Sequence, residues 1–123
     1  MLLARYDGNT RHHTSVSCPI FIRAFLVEDA RGTRAGLVAL DLCGIDAETV
    51  AIAERAAREA GVPPERLTLN SSHNHSAPNF DITLSLYFEH TSREEVSLTA
   101  YTAFVRGEIR TVLQRGGSRG QAT

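Results

Sequence analysis

The 123-residue chain contains no lysine; all thirteen of its basic residues are arginine. We attribute that bias to codon usage and assign it no function. Cysteine is scarce as well. Two residues, Cys18 and Cys43, are too few for a disulfide scaffold. Neither sign of charge is in excess, because thirteen basic and fourteen acidic residues leave a formal net charge of −1. This balance excludes a disordered acidic or basic tail. It also excludes binding to nucleic acid through bulk positive charge. Long apolar runs are missing too. Leu37–Leu40 is typical of them and falls far short of the about 20 residues a transmembrane segment needs. Met1-Leu2-Leu3-Ala4-Arg5 lacks a basic stretch followed by an apolar one, so no export signal is expected there. No internal repeat or inter-domain linker interrupts the chain. The 42% of hydrophobic residues suffice for the core of one domain, whose usual length is roughly 100–150 residues.

The pattern along the chain predicts an α/β fold. Residues 1–19 are polar and aperiodic and read as an irregular lead-in. Ile20–Val27 is dense in β-formers, and Gly36–Leu42 is a second apolar run. The polar, Gly-bearing connection between them predicts a β-hairpin. The second run alternates poorly, so that strand is expected to be buried on both faces. Asp46 is positioned to cap a helix over Ala47–Ala60, with Ile45 and Val50 as a hydrophobic staple. Gly61 and then Pro63-Pro64 end it. Arg66–Ser71 reads as a third strand. Strand, helix and strand with short connections form a βαβ unit, which makes strands two and three parallel. A long C-terminal helix follows, with Ser92 and Glu95 at capping-box spacing. Leu98, Tyr101, Val105, Ile109 and Val112 share one face of it. Residues 116–123 are Gly-rich and read as a flexible tail.

The sharpest local feature is Asn70-Ser71-Ser72-His73-Asn74-His75-Ser76-Ala77-Pro78. It lies at the carboxyl end of the third strand, where open α/β sheets bind their ligands. In extended backbone, residues two apart point the same way, so His73 and His75 would face one cleft. Imidazole suits both metal ligation and proton transfer near neutral pH. The spacing by itself also allows two loop histidines bonded to backbone or water.

Three segments taken together resemble the neutral/alkaline non-lysosomal ceramidase family. They are Phe21–Asp29, then Leu40-Asp41-Leu42-Cys43-Gly44-Ile45, then Ser72–Pro78. They occur in the family's order and at about its spacing, over roughly Tyr6 to Leu113. Asn74 stands where the family signature usually has Thr. The resemblance implies a zinc amidohydrolase that cleaves the N-acyl bond of ceramide into sphingosine and a fatty acid. It maps a zinc ligand onto His73 and an oxyanion-stabilising residue onto His75. Zinc would lower the pKa of a bound water to about 7. The family's other zinc ligands, a His, a Glu and a Tyr, lie further downstream. The chain therefore reads as a partial N-terminal piece of a larger α/β catalytic domain. Its expected partner is a ceramide-like N-acyl lipid; neither nucleic acid nor a transmembrane segment is expected. Family members are often secreted or membrane-associated. With one ligand, the chain by itself is expected to bind zinc weakly and to turn over no N-acyl sphingosine detectably. Two alternatives stay open. One is another His-x-His metallohydrolase, in which both imidazoles bind the metal. The other is a non-catalytic α/β fragment.

Other residues carry subsidiary expectations, and His12, His13, Asp41 and Cys43 are the candidates within the chain for completing the site. Asp41 ends the second strand and either supports His73 from behind or bonds loop amides. His12 and His13 read as surface-loop residues, and His90 as the flank of the last helix. Arg23 sits within an apolar strand and needs Asp41 or Glu28 as a partner if buried. Arg106 and Arg110 read as the solvated side of the last helix. Tyr87, Phe88 and Tyr101 read as core or rim. Cys18 and Cys43 fall almost opposite each other across the hairpin, either as a disulfide or as two buried thiols. The glycosylation triplet Asn70-Ser71-Ser72 is a poor acceptor at a buried strand end.

Overall fold

The computed structural model describes residues 14–80 and 91–119. His12, His13, Tyr87, Phe88, His90 and residues 120–123 lie outside the described residues. Residues 14–19 are irregular. The described chain is a mixed α/β unit. Strand β1 (Ile22–Glu28) and strand β2 (Arg34–Leu40) are followed by helix α1 (Ala47–Glu59). A 3-10 turn at Pro64–Arg66 leads into strand β3 (Leu67–Ser71), and helix α2 (Ser92–Arg119) comes last. The sheet order is β1-β2-β3; β1 and β2 are antiparallel, and β2 and β3 are parallel. The hairpin and the βαβ unit are thus those expected from the sequence.

Local chemistry explains each connection. In the hairpin, Gly32 has φ +80 and donates its N–H to the Asp29 carbonyl. A type I turn closed by a left-handed glycine matches the twist of its strands. The Asp29 carboxylate accepts the N–H groups of Arg31 and Thr33 at 2.9 and 2.8 Å. Asp46 caps α1 by accepting from Thr49 and Glu48. At the other end Gly61 takes φ +77, and the N–H groups of Gly61 and Val62 return to Arg58 and Ala57. This is the Schellman pattern expected of a C-terminal glycine. Arg34 reaches across from β2 and donates to the Ala60 carbonyl at 2.8 Å.

Both helices lie on one face of the sheet. Val38 and Leu40 meet Ala53, Ala56 and Ala57 of α1 and Val105, Ile109 and Leu113 of α2. Alternation along the strands leaves Phe25, Val27 and Leu37 on the opposite face, all exposed. Strand β2 is therefore not buried on both faces as expected. Leu37 pairs with Phe25 across the register, and nothing among the described residues covers them.

Helix α2 departs from expectation in three ways. Its cap is Thr91, not Ser92: Thr91 N–H donates to the Glu94 carboxylate at 2.7 Å, and Glu94 N–H donates back to Thr91 Oγ1. The box is shifted by one residue, because either Glu94 or Glu95 offers suitable spacing. Its buried face carries Leu98, Thr102, Val105, Ile109 and Leu113, while Tyr101 and Val112 stand half-buried at its border. The helix also runs through Gly116 and Gly117 to Arg119, where a flexible tail was expected. These glycines permit close approach. A Cβ on Gly117 would come within 2.8 Å of Ala60 Cβ and 3.0 Å of its Cα.

Arg106 also contradicts its expected solvated role. It donates to Asp46 at 2.8 Å and to Thr49 Oγ1 at 3.0 Å, and it pairs with Glu48. Arg110 is exposed, as expected.

Two outcomes follow. Gly107 is exposed with open space around it, so Gly107→Ala should stabilise by about 0.5–1 kcal/mol through helix propensity. Gly117→Ala gains the same propensity but must displace the Ala60 backbone, and should destabilise by about 1–3 kcal/mol in urea melts. The second outcome concerns Asp29. The backbone N–H of Thr33 is the main cause holding its carboxyl below the usual value of 3.8. A depressed folded-state pKa gives stability that is full above the unfolded value and lost as pH falls through the folded one. The Tm advantage of wild type over Asp29→Asn should therefore narrow on acidification below pH 3.8.

Candidate metal centre

The site grows from the carboxyl end of the parallel pair. Beyond β3 the ladder continues: Ser72 N–H donates to the Leu40 carbonyl at 2.9 Å, and Asn74 N–H to the Leu42 carbonyl at 3.2 Å. Between these two bonds His73 adopts φ +57, the only positive φ at a non-glycine residue among those described. Such a conformation is uncommon for a residue with a Cβ, although His tolerates it better than most. Asn74 Oδ1 then accepts the Ser76 N–H at 2.8 Å and turns the chain again.

The two imidazoles do meet, as expected, but through this left-handed turn and not through extended backbone. Their rings are edge to face with centroids 4.6 Å apart. His73 Nδ1 lies 2.8 Å from the Cys43 carbonyl oxygen. A carbonyl only accepts, so Nδ1 carries the proton and the lone pair of a neutral His73 is on Nε2. His75 Nε2 lies 3.1 Å from that lone pair and, with both rings neutral, donates its proton to it.

Cys43 is the residue whose place here the sequence reading underrated. Its Sγ lies 3.8 Å from His75 Nε2, 3.9 Å from His75 Nδ1 and 3.9 Å from His73 Nδ1. One donor atom from each of Cys43, His73 and His75 lies within 4.8 Å of the others, and the group can hold a metal ion. Two of the edges, His73 Nε2 to His75 Nε2 at 3.1 Å and Cys43 Sγ to His75 Nε2 at 3.8 Å, lie near tetrahedral values. Bonds of about 2.0–2.1 Å to nitrogen and about 2.3 Å to sulfur imply N···N and N···S edges of roughly 3.4 and 3.6 Å. Cys43 is buried, His75 half-buried and His73 exposed. Burial pushes the Cys43 thiol pKa up, so without a metal the group favours the neutral thiol. Cys18 is a free, exposed thiol, and Cys43 is free as well. Cys18 is thus neither bridged nor buried.

Asp41 takes the second of its two expected roles. Its Oδ2 accepts the Phe21 N–H at 3.0 Å and pairs with Arg23 at 3.4 Å. The support expected from Asp41 behind His73 comes instead from the Cys43 carbonyl. Arg23 finds its predicted partner but stays exposed, stacked over the Phe21 ring at 4.4 Å.

Beside the loop runs a cavity of about 550 Å³, bordered by Asn74, Ser76 and Pro78. Val16, Ile20, Tyr101 and Phe104 supply much of its apolar wall. Tyr101 therefore does line a groove. No helix among the described residues is long and apolar enough to cross a membrane. Compared with protein-family models, curated proteins and solved structures, the chain matches none.

The strained turn is testable. His73→Gly and His73→Ala both remove the ring. Only glycine takes positive φ without cost. The glycine variant should therefore be the more stable of the two by about 1 kcal/mol in chemical denaturation, inverting the usual preference for alanine.

Proposed function

We propose that this chain carries part of a zinc-dependent amidohydrolase site of the ceramidase type, acting on the N-acyl bond of a ceramide-like lipid. The observation that carries this reading is the pair of imidazoles, Nε2 to Nε2 at 3.1 Å, at the carboxyl end of parallel strands and beside an apolar groove. His73 would hold zinc through Nε2, its other nitrogen already committed to the Cys43 carbonyl. Bound zinc supplies Lewis acidity and a water acidic enough to react near neutral pH. His75 presents an N–H to the carbonyl oxygen of the scissile amide as negative charge develops there. Water adds across the amide, giving a fatty acid and a free amine. The groove between the lead-in and α2 offers the apolar wall that an acyl chain needs.

A second reading has both imidazoles as metal ligands of another type of hydrolase, and the short Nε2–Nε2 distance favours it equally. The two readings separate at His75. The chain is titrated with zinc, and its affinities for zinc and for N-acyl sphingosine are measured together. The ceramidase-type reading expects zinc binding that His73→Ala abolishes and His75→Ala changes little, with N-acyl sphingosine bound but not detectably hydrolysed by this part of the site alone. A loss of zinc affinity in His75→Ala supports the second reading. A zinc-loaded chain that binds no N-acyl lipid overturns the ceramidase-type reading.

A further inference from the structure

The geometry points to Cys43 as a third ligand of the same metal, its thiolate completing a sulfur-and-nitrogen donor set with His73 and His75. This inference rests on the second reading above, in which both imidazoles bind the metal, and not on amide hydrolysis.

Cys43 serves the cluster twice. Its carbonyl accepts from His73 Nδ1 at 2.8 Å and so aims the His73 Nε2 lone pair. Its Sγ stands 3.8 Å from His75 Nε2, within a few tenths of an ångström of a tetrahedral N···S edge. A buried thiol with only a packing role needs apolar neighbours, whereas this one faces two imidazoles. It lies in the wall of the site between Leu42, itself 2% exposed, and the His loop. A thiolate beside a cation in such a poorly solvated wall interacts with it far more strongly than in water. Thiolate with imidazole also favours zinc or copper(I) over magnesium and calcium, which prefer oxygen donors. A lone imidazole would bind zinc weakly; three donors make a site of real affinity.

The test is spectroscopic and needs no turnover. Zinc-edge X-ray absorption of the zinc-loaded chain should show sulfur at about 2.3 Å together with nitrogen at about 2.0–2.1 Å. Cobalt(II) in place of zinc should give a thiolate charge-transfer band. The band should vanish in Cys43→Ser and persist in Cys18→Ser. Cys43→Ser keeps the backbone carbonyl that orients His73, so its zinc affinity should fall by at least about 100-fold through the lost sulfur. Circular dichroism establishes that the variant is folded, and the wild-type absorption measurement stands whether or not it is. A zinc shell of nitrogen and oxygen alone, or a band that follows Cys18, overturns the inference while leaving the amidohydrolase reading intact. Failure of the wild-type chain to bind zinc at all overturns both.

Discussion

The parallel pairing of β2 with β3 governs the rest of the structure, because its hydrogen bonds do not stop where the strands do. Leu40 faces Ser71 in register, and the ladder then runs on through Ser72 to Leu40 and Asn74 to Leu42. Two segments that have left the sheet are thereby kept side by side. One carries Cys43 and the other carries His73 and His75. His73 lies between two ladder bonds and makes neither, so its backbone can turn left-handed without breaking the pairing. The ring then swings back to the Cys43 carbonyl. A parallel ladder needs a crossover between its strands, and here α1 supplies it. The helix thus sets how far apart in sequence the donors lie and how close in space.

What holds α1 therefore holds the site. Its N-terminus begins three residues beyond Cys43, at Asp46, and Asp46 is both the cap and the partner of Arg106 on α2. Breaking a partly buried pair of this kind costs more than an exposed one, because the remaining charge loses its compensation. At the far end, Gly117 lets α2 close onto Ala60, the last residue before the Gly61 turn. The two helices are pinned to each other at both ends of α1. The sheet is finished on that side only. On the other side Phe25 and Leu37 stand uncovered, with Arg23 near one end and the Arg34–Glu28 pair near the other. Charges at such positions discourage strand-to-strand association.

The sequence was most legible where one residue type has one physical job. Asp46 before an Ala-rich run, Gly61 after it and Gly32 in a polar connection each announced a backbone state that only a few residues satisfy. The order hairpin, βαβ unit and long helix followed from these. The unread parts depend on tertiary proximity. Arg106 looks like any helix-surface arginine until α1 is packed beside it. Gly116 and Gly117 look like a frayed end unless Ala60 and Leu26 are known to lie against them. Thr91 and Ser92 are both good caps, and periodicity cannot choose between them. At the site, His-x-His was visible, but Cys43 counted as one candidate among several. Its approach to both imidazoles depends on the ladder running past the strand ends, which no local pattern records. For Asp41, strand adjacency allows either His73 or loop amides as partner, and no local pattern chooses between them. The N–H of Phe21 and the guanidinium of Arg23 compete for the same carboxylate and take it.

The arrangement of the two imidazoles carries its own electrostatic argument. Nitrogen lone pairs directed at each other across 3.1 Å repel unless something positive lies between them. The Cys43 carbonyl removes one way out, because it fixes the proton of His73 on Nδ1 and leaves Nε2 bare. With both rings neutral, a proton on His75 Nε2 fills the gap. A metal ion bound through the same two nitrogens would fill it with little change in their separation, since tetrahedral edges are only a few tenths of an ångström longer. The left-handed backbone at His73 costs roughly 1–2 kcal/mol, and it brings the rings to this distance. Strain of this order persists only where surrounding contacts over-determine the conformation. Here the ladder bonds on either side of His73 and the carbonyl beneath its ring do so. The same contacts that hold the strain also aim the His73 lone pair at His75, within a group that could hold a metal ion.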